Sequence, residues 1–326
     1  IGGRAGTATT TGGNNTFVGT DAGDANTTAS NNTGIGRDSL TDNTTGENLT
    51  AVGEGSLANN TTADNNTAVG KNAGLLVTTG IRNTLIGALA GDALNTGTRN
   101  VSLGYGSLSS DTKGSRSVAI GTDALFTQNF TSATDAYNTA VGHFAGGSVT
   151  TGVKNTIIGG LAGDAITTAD ENTLVGYVAG SSLTTGEDNV LIGSLTGDAL
   201  TEGKDNVAVG RNSLSADTKG RQSVAIGSSA LSAQNFTTLT DTYNTAVGSS
   251  AGAAVTTGVE NTFIGGLAGQ SNTTASNNTA VGYRSLNFNT TGTTNTAVGM
   301  QSLYVNTTGN YNTALGYNSL RLNTTG

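Results

Sequence analysis

His143 is the only histidine in the 326-residue chain, and there is no cysteine. A nucleophile–histidine–acid triad or a histidine metal site would therefore rest on one imidazole. Disulfides and thiolate metal sites are excluded outright. His143 directly follows the glycine of an Ala-Val-Gly run, a place taken by Tyr105, Tyr177, Arg211, Tyr283 and Tyr317 in related runs. A position that admits Thr, Arg, Glu, Lys, Tyr and His faces solvent. Carboxylates recur in Gly-Asp-Ala (Asp92, Asp164, Asp198) and in Asp-Thr-Lys-Gly (Asp111, Asp217). Stacked carboxylates could hold Ca²⁺, but the Gly-Gly-x-Gly-x-Asp spacing of calcium-binding rolls is missing, so they read as solvated turn residues. The glycine-rich run Gly142–Gly147 carries no Lys-Ser/Thr and is not a phosphate loop. With no converging acid and base, the expectation is a protein that is not an enzyme and uses no cofactor or metal.

Composition narrows the class further. Gly is 50 of 326 residues, Pro and Trp are absent, and only 11% of residues are charged. Such polar, glycine-rich chains are often disordered, but disorder does not place Val and Ile at regular intervals. The formal net charge of -8 argues against a nucleic-acid partner, whose binding needs clustered cations. No apolar run approaches the ~18 residues of a membrane helix, so no membrane insertion is expected of this segment. Ile1-Gly2-Gly3 reads like the middle of a repeat, as in an excerpt of something longer.

The elements that hold these residues repeat. Glycines closing Asn-Thr-x-Val/Ile-Gly runs fall at 19, 36, 53, 70, 87, 104 and 121, then from 142 to 227 and from 248 to 316, always 17 apart. That makes eighteen units, with two longer steps of 21 at 122–142 and 228–248. Seventeen residues are too few for a helical hairpin, and an apolar core of four or five residues bounded by Gly and Asn has the length of a strand. The expected fold is all-β: one continuous β-solenoid, or β-roll, over residues 1–326. In each unit the residue before the glycine (Val69, Ile86, Leu103) and the Thr or Val two places earlier share a strand face. The former column is expected to line a dry interior. The residue between them (Ala68, Leu85, Ile157, Phe263) lies on the opposite face, and its apolar character points to a second chain. The Asn before the strand is expected to be left-handed and to form a coil-to-coil ladder. Thr-Thr-Gly (Thr44-Thr45-Gly46) suggests a second strand and turn.

Two positions compensate each other. Four residues after the key glycine stands Leu or Gly; seven after it the residue is polar with Leu (Leu40/Asn43, Leu214/Asp217) and apolar with Gly (Gly74/Val77, Gly163/Ile166). Nine units follow the first form and seven the second, and only Gly23/Asn26 and Gly269/Asn272 break the rule. One apolar slot per coil, filled from either position, accounts for this, because close packing penalises both an empty and a doubly filled slot.

Ser117–Gly121, Ser223–Gly227 and Asn312–Leu320 resemble the head repeats of trimeric autotransporter adhesins and the repeats of phage tail-fibre proteins. The resemblance implies a homotrimer of parallel β-rolls, extracellular, on a virion tail or a cell surface. It implies a structural and adhesive fibre that holds or contributes a receptor-binding surface for a cell-surface glycan or protein. The 17-residue period departs from the adhesin spacing. The alternative is an ice- or surface-binding protein using Asn/Thr columns, although adjacent threonines such as Thr44 and Thr45 point to opposite faces. Candidate recognition residues are the aromatic column Tyr105, His143, Tyr177, Tyr283 and Tyr317, and the long units' Phe130, Tyr137, Phe236 and Tyr243. The competing reading of Phe130 and Tyr137 is that they cover the bulge made by the extra residues.

Overall fold

The computed structural model describes residues 2–325. These form an all-parallel β-solenoid of about eighteen turns and fall into two compact units that divide after Thr168. The first unit carries nine three-residue strands from Thr16–Val18 to Thr156–Ile158, the second nine from Thr173–Val175 to Thr313–Leu315. Within each unit neighbours pair in parallel with one register: Thr16 with Thr33 and Val190 with Val207, 17 residues apart, and Val118 with Thr139 and Val224 with Thr245 across the long turns.

Each strand ends where the chain must turn. Gly36 has φ 137°, and a Cβ there would collide with the carbonyl oxygen of Gly53 one coil on. The glycine column thus answers two demands at once, a backbone angle open only to glycine and the close stacking of successive corners. The Thr-Thr-Gly segments are bends and not the expected second strands. Among the described residues, short second strands occur only at the long turns, where Gly114–Ser115 pairs with Thr134–Asp135 and Gly220–Arg221 with Thr240–Asp241.

The faces of the main strands are the reverse of the expectation. Ala68, Leu85, Ile157 and Phe263 are fully buried, whereas Ile86 is 37% and Leu103 45% exposed, and Val69 is only half-buried. The Thr and Val/Ile columns therefore form the outer face of the sheet, and the middle residue points into the coil. A three-residue strand with apolar groups on both sides carries no alternation to distinguish them. What decides it is the chain that closes the coil: its buried leucines pack against the middle residue, as Leu40 does beside Gly34.

The slot exists, and three positions fill it. Leu40, Leu57, Leu108, Leu214 and Leu286 are fully buried, as are Val77, Leu94, Ile166 and Leu183 in the alternative coils. The Leu/Gly position is left-handed in both forms, with Leu57 at φ 48° and Gly74 at φ 60°. Such a φ disfavours β-branched residues most, and Leu, never Val or Ile, stands here, although Val178 and Thr294 adopt the same angle at outer positions. The strain of about 1–2 kcal/mol is offset by burying a leucine, worth about 1.5–3 kcal/mol. Gly74 stays glycine because a Cβ would lie 2.7 Å from Leu85 Cδ1 and 2.9 Å from Leu57 Cδ2 in the flanking coils. The two exceptions to the pairing rule have the same cause. At Gly23 and Gly269 a Cβ would enter the rings of Phe17 and Phe263, the two phenylalanines at the middle strand position. The Phe ring fills the slot.

Buried asparagines tie the coils together. Asn83 Oδ1 accepts from Asn100 N at 3.0 Å, and Asn83 Nδ2 donates to Gly97 O at 2.9 Å. Asn189 makes the same pair of bonds, to Asn206 N (3.2 Å) and Gly203 O (2.9 Å). The ladder thus runs largely from amide to backbone. The left-handed residue is the one before it (Asn31, Arg82, Asp188), which faces outward and takes any polar type. A second ladder runs through the polar slot residues: Asn60 Nδ2 donates to Asn43 Oδ1, and Asn306 Nδ2 to Asn289 Oδ1, both at 2.8 Å.

Candidate functional site

The long turns are held by buried polar networks. In the first unit Asp111 is fully buried and accepts from Gly114 N (2.9 Å), Phe130 N (3.1 Å) and Gln128 Nε2 (2.7 Å). Gln128 also donates to Ser117 Oγ and accepts from Asn138 Nδ2 at 2.8 Å. In the second unit Asp217 accepts from Gly220 N, Phe236 N and Gln234 Nε2, and Gln234 bonds Ser223 Oγ and Asn244 Nδ2. The expectation that Asp111 and Asp217 are solvated turn residues is thereby overturned. Three donors converge on each, and only an acceptor-only side chain satisfies them. Burial nonetheless raises the Asp217 carboxyl above its ordinary range, against the hydrogen bonds that lower it. These networks are structural anchors for the inserted residues.

Phe130 and Phe236, expected on the surface, are 5% and 8% exposed. They plug the bulge, because the Asp anchors draw their own backbone N–H groups inward. The recognition role assigned to them is corrected on that ground. Tyr137 and Tyr243, by contrast, are half exposed and do not cover the bulge. Thr131, Ser132 and Ala133 in the first unit, and Thr237, Thr238 and Leu239 in the second, project outward beside them. Two arginines went unnoticed in the sequence. Arg116 pairs with Asp135 at 3.1 Å, hydrogen-bonds the Tyr137 hydroxyl and lies 5.3 Å from the ring centroid, while Arg221 pairs with Asp241 at 2.7 Å. Their partners lie 19 and 20 residues on, so only the longer coil aligns them.

The aromatic column is exposed as expected. Tyr105 and His143 stand out from the first unit, with His143 beside Phe144 at 6.4 Å between ring centroids. In the second unit Tyr177, Tyr283 and Tyr317 are exposed; Met300 lies between the last two, and the Arg284 guanidinium sits 5.1 Å from the Tyr283 ring centroid. Asp92, Asp164 and Asp198 are half-buried, contrary to the solvated reading, and burial raises each carboxyl above its ordinary range. Each has an Oδ1 out of solvent without a hydrogen-bond partner. Among the described residues no three or more His, Asp or Glu side chains gather as a metal site.

No protein-family model matches the chain, and neither does any curated protein.

Proposed function

We propose that the chain is the shaft of an extracellular structural fibre, of the phage tail-fibre or cell-surface adhesin kind, built from three copies packed through the outer sheet face. The observation that supports this is the unpartnered Thr and Val/Ile face, where Val18, Ile35, Ile86, Leu103, Ile192 and Ile264 each leave more than a third of their surface in water. Isolated exposed apolar side chains need no explanation, but apolar residues on every rung of a sheet mark an interaction face. Nearest-neighbour stacking in such repeats extends to any length, which suits a spacer. The exposed Tyr column and the outward loops of the long turns then offer weak, repeated contacts to a cell-surface glycan or protein. In this reading the protein is not an enzyme and carries no cofactor.

Sedimentation equilibrium tests it. The expected mass is three times the 32.2 kDa of the chain, and Ile86→Asp with Ile192→Asp should reduce it to one chain. A monomeric wild type removes the trimer.

A second reading, binding to ice or another crystal surface, gains one specific observation. Thr16, Thr33, Thr50, Thr67 and Thr84 stand in register on the outer face, alternating along each strand with Val or Ile. The adjacent Thr44 and Thr45 had argued against a regular array; this column supplies one. Thermal hysteresis in the monomeric variant would favour this reading, and its absence would discard it.

A further inference from the structure

At one surface column the charges are sorted, not mixed. The left-handed residue two places before each strand is Arg82, Arg99 and Arg116 in three successive coils of the first unit. In three successive coils of the second unit it is Glu171, Asp188 and Asp205. In-register strands put each rung about 4.8 Å from the next. Arg82, Arg99, Asp188 and Asp205 are exposed, and among the described residues none of these four makes an ion pair.

Stacking like charges opposes folding of the single chain, since like charges on adjacent strands repel. The repulsion is felt within the acidic ladder: the Asp188 carboxyl is raised by desolvation first, then by Asp205 and Glu171, and Lys204 opposes them only in part. Nothing in the coil requires this arrangement. The same column holds Asn14, Asn31, Asn48 and Asn65 elsewhere, all left-handed. The column after the key glycine also shows how the chain neutralises a stack. There Arg37, Glu54 and Lys71 alternate, Arg37 pairs with Glu54, and Lys71 lies 3.7 Å from it.

We propose that the arginine ladder of one copy docks on the carboxylate ladder of a second copy. The two ladders have opposite charge and the same rise, so the guanidiniums of Arg82 and Arg99 match the carboxylates of Asp188 and Asp205 rung for rung. Guanidinium forks suit carboxylates in two-point contacts. The two surfaces differ, so the contact is heterologous and can repeat from copy to copy. It is separate from the outer sheet face and distinguishable by salt: an apolar face keeps its grip in high salt, whereas exposed charge pairs are screened.

Sedimentation velocity of the full chain at about 20 mM and about 500 mM NaCl tests the contact. Two variants are needed, R82E/R99E, which leaves acidic groups at the docking rungs of both ladders, and D188R/D205R, which leaves basic groups at both. The column already carries Glu and Arg at these angles, so both should fold, as circular dichroism will verify. The wild type should associate at low salt at least tenfold more tightly than at high salt. Each variant alone should lose that component, and an equimolar mixture should regain it. A wild type whose mass is the same at both salts would overturn the proposal, as would variants that associate like the wild type or a mixture that does not recover. If dextran sulfate is retained by the wild type but not by R82E/R99E, and no self-association is seen, the arginines serve a polyanion and the proposal fails. Ile86→Asp leaves the ladders intact and should spare the salt-sensitive component even where it abolishes a trimer.

Discussion

Gln234 Nε2 donates to Asp217 Oδ2 at 2.6 Å, and neither side chain reaches solvent. The bond joins two successive coils at the slot position, where other neighbouring coils stack Asn on Asn. The carboxylate is needed because Gly220 N and Phe236 N, as well as the Gln234 amide, all point at it.

Asp217→Ala should therefore destabilise the second unit by at least about 3 kcal/mol, because three buried donors lose their acceptor and each costs about 1–3 kcal/mol. Asp217→Asn should cost less, about 1–2 kcal/mol, since one amide oxygen remains. Hydrogen exchange at Gly220 and Phe236 reads the effect locally, which matters where repeat arrays do not unfold in one step. Unchanged protection in Asp217→Ala would remove the anchoring role.

The pH dependence has a defined sign. The folded pKa of Asp217 is raised by burial above the ordinary 3.8, so the folded unit binds this proton more readily than the unfolded chain. The contribution is fully present below the ordinary pKa and is lost as pH rises through the raised value. The stability of the wild type relative to Asp217→Asn should thus increase as pH is lowered toward 3.8. Urea midpoints across that range decide it, and a difference that shrinks on acidification would mean that the hydrogen bonds outweigh burial at this carboxyl.

Phe263→Ala should cost about 3–5 kcal/mol, as for large aromatic truncations in packed cores. Adding Gly269→Leu should recover most of the loss. The coil would then read Ala, Leu and Asn at its three slot positions, the combination of Ala280, Leu286 and Asn289, and the backbone angles already match (φ 56° at Gly269, 49° at Leu286). Gly269→Leu alone should be severely destabilising, because its Cβ would enter the Phe263 ring. Additive effects in this double-mutant cycle would mean the two side chains do not share a slot.

Leu85→Ala and Ile86→Ala contrast the two faces. The buried Leu85 should cost about 2–5 kcal/mol. The outward Ile86, with more than a third of its surface in water, should cost no more than about 1 kcal/mol in the monomer. Equal costs measured by denaturant titration of the monomer would put Ile86 in a core.

Asn83→Ala should expose its coil to exchange. It leaves Asn100 N and Gly97 O without partners inside the coil, at about 1–3 kcal/mol for each unsatisfied group. Faster amide exchange at Asn100 than at Asn206 in the other unit is the expected signature.

The sequence by itself determined the period, the strands, the glycine corners and the existence of one apolar slot per coil, because each is a local demand repeated eighteen times. It also held an unused clue to orientation: Leu without Val or Ile at a position shared with Gly marks a left-handed site pointing inward. Tertiary structure alone decided which strand face is dry, since Val69 and Leu85 are equally apolar on paper and differ only in what the returning chain places against them. It alone brought Arg116 onto Asp135 and Arg221 onto Asp241, for a residue's neighbours in a solenoid lie one coil away and a coil's length is set by its turns. Where four extra residues lengthen that coil, the partners change.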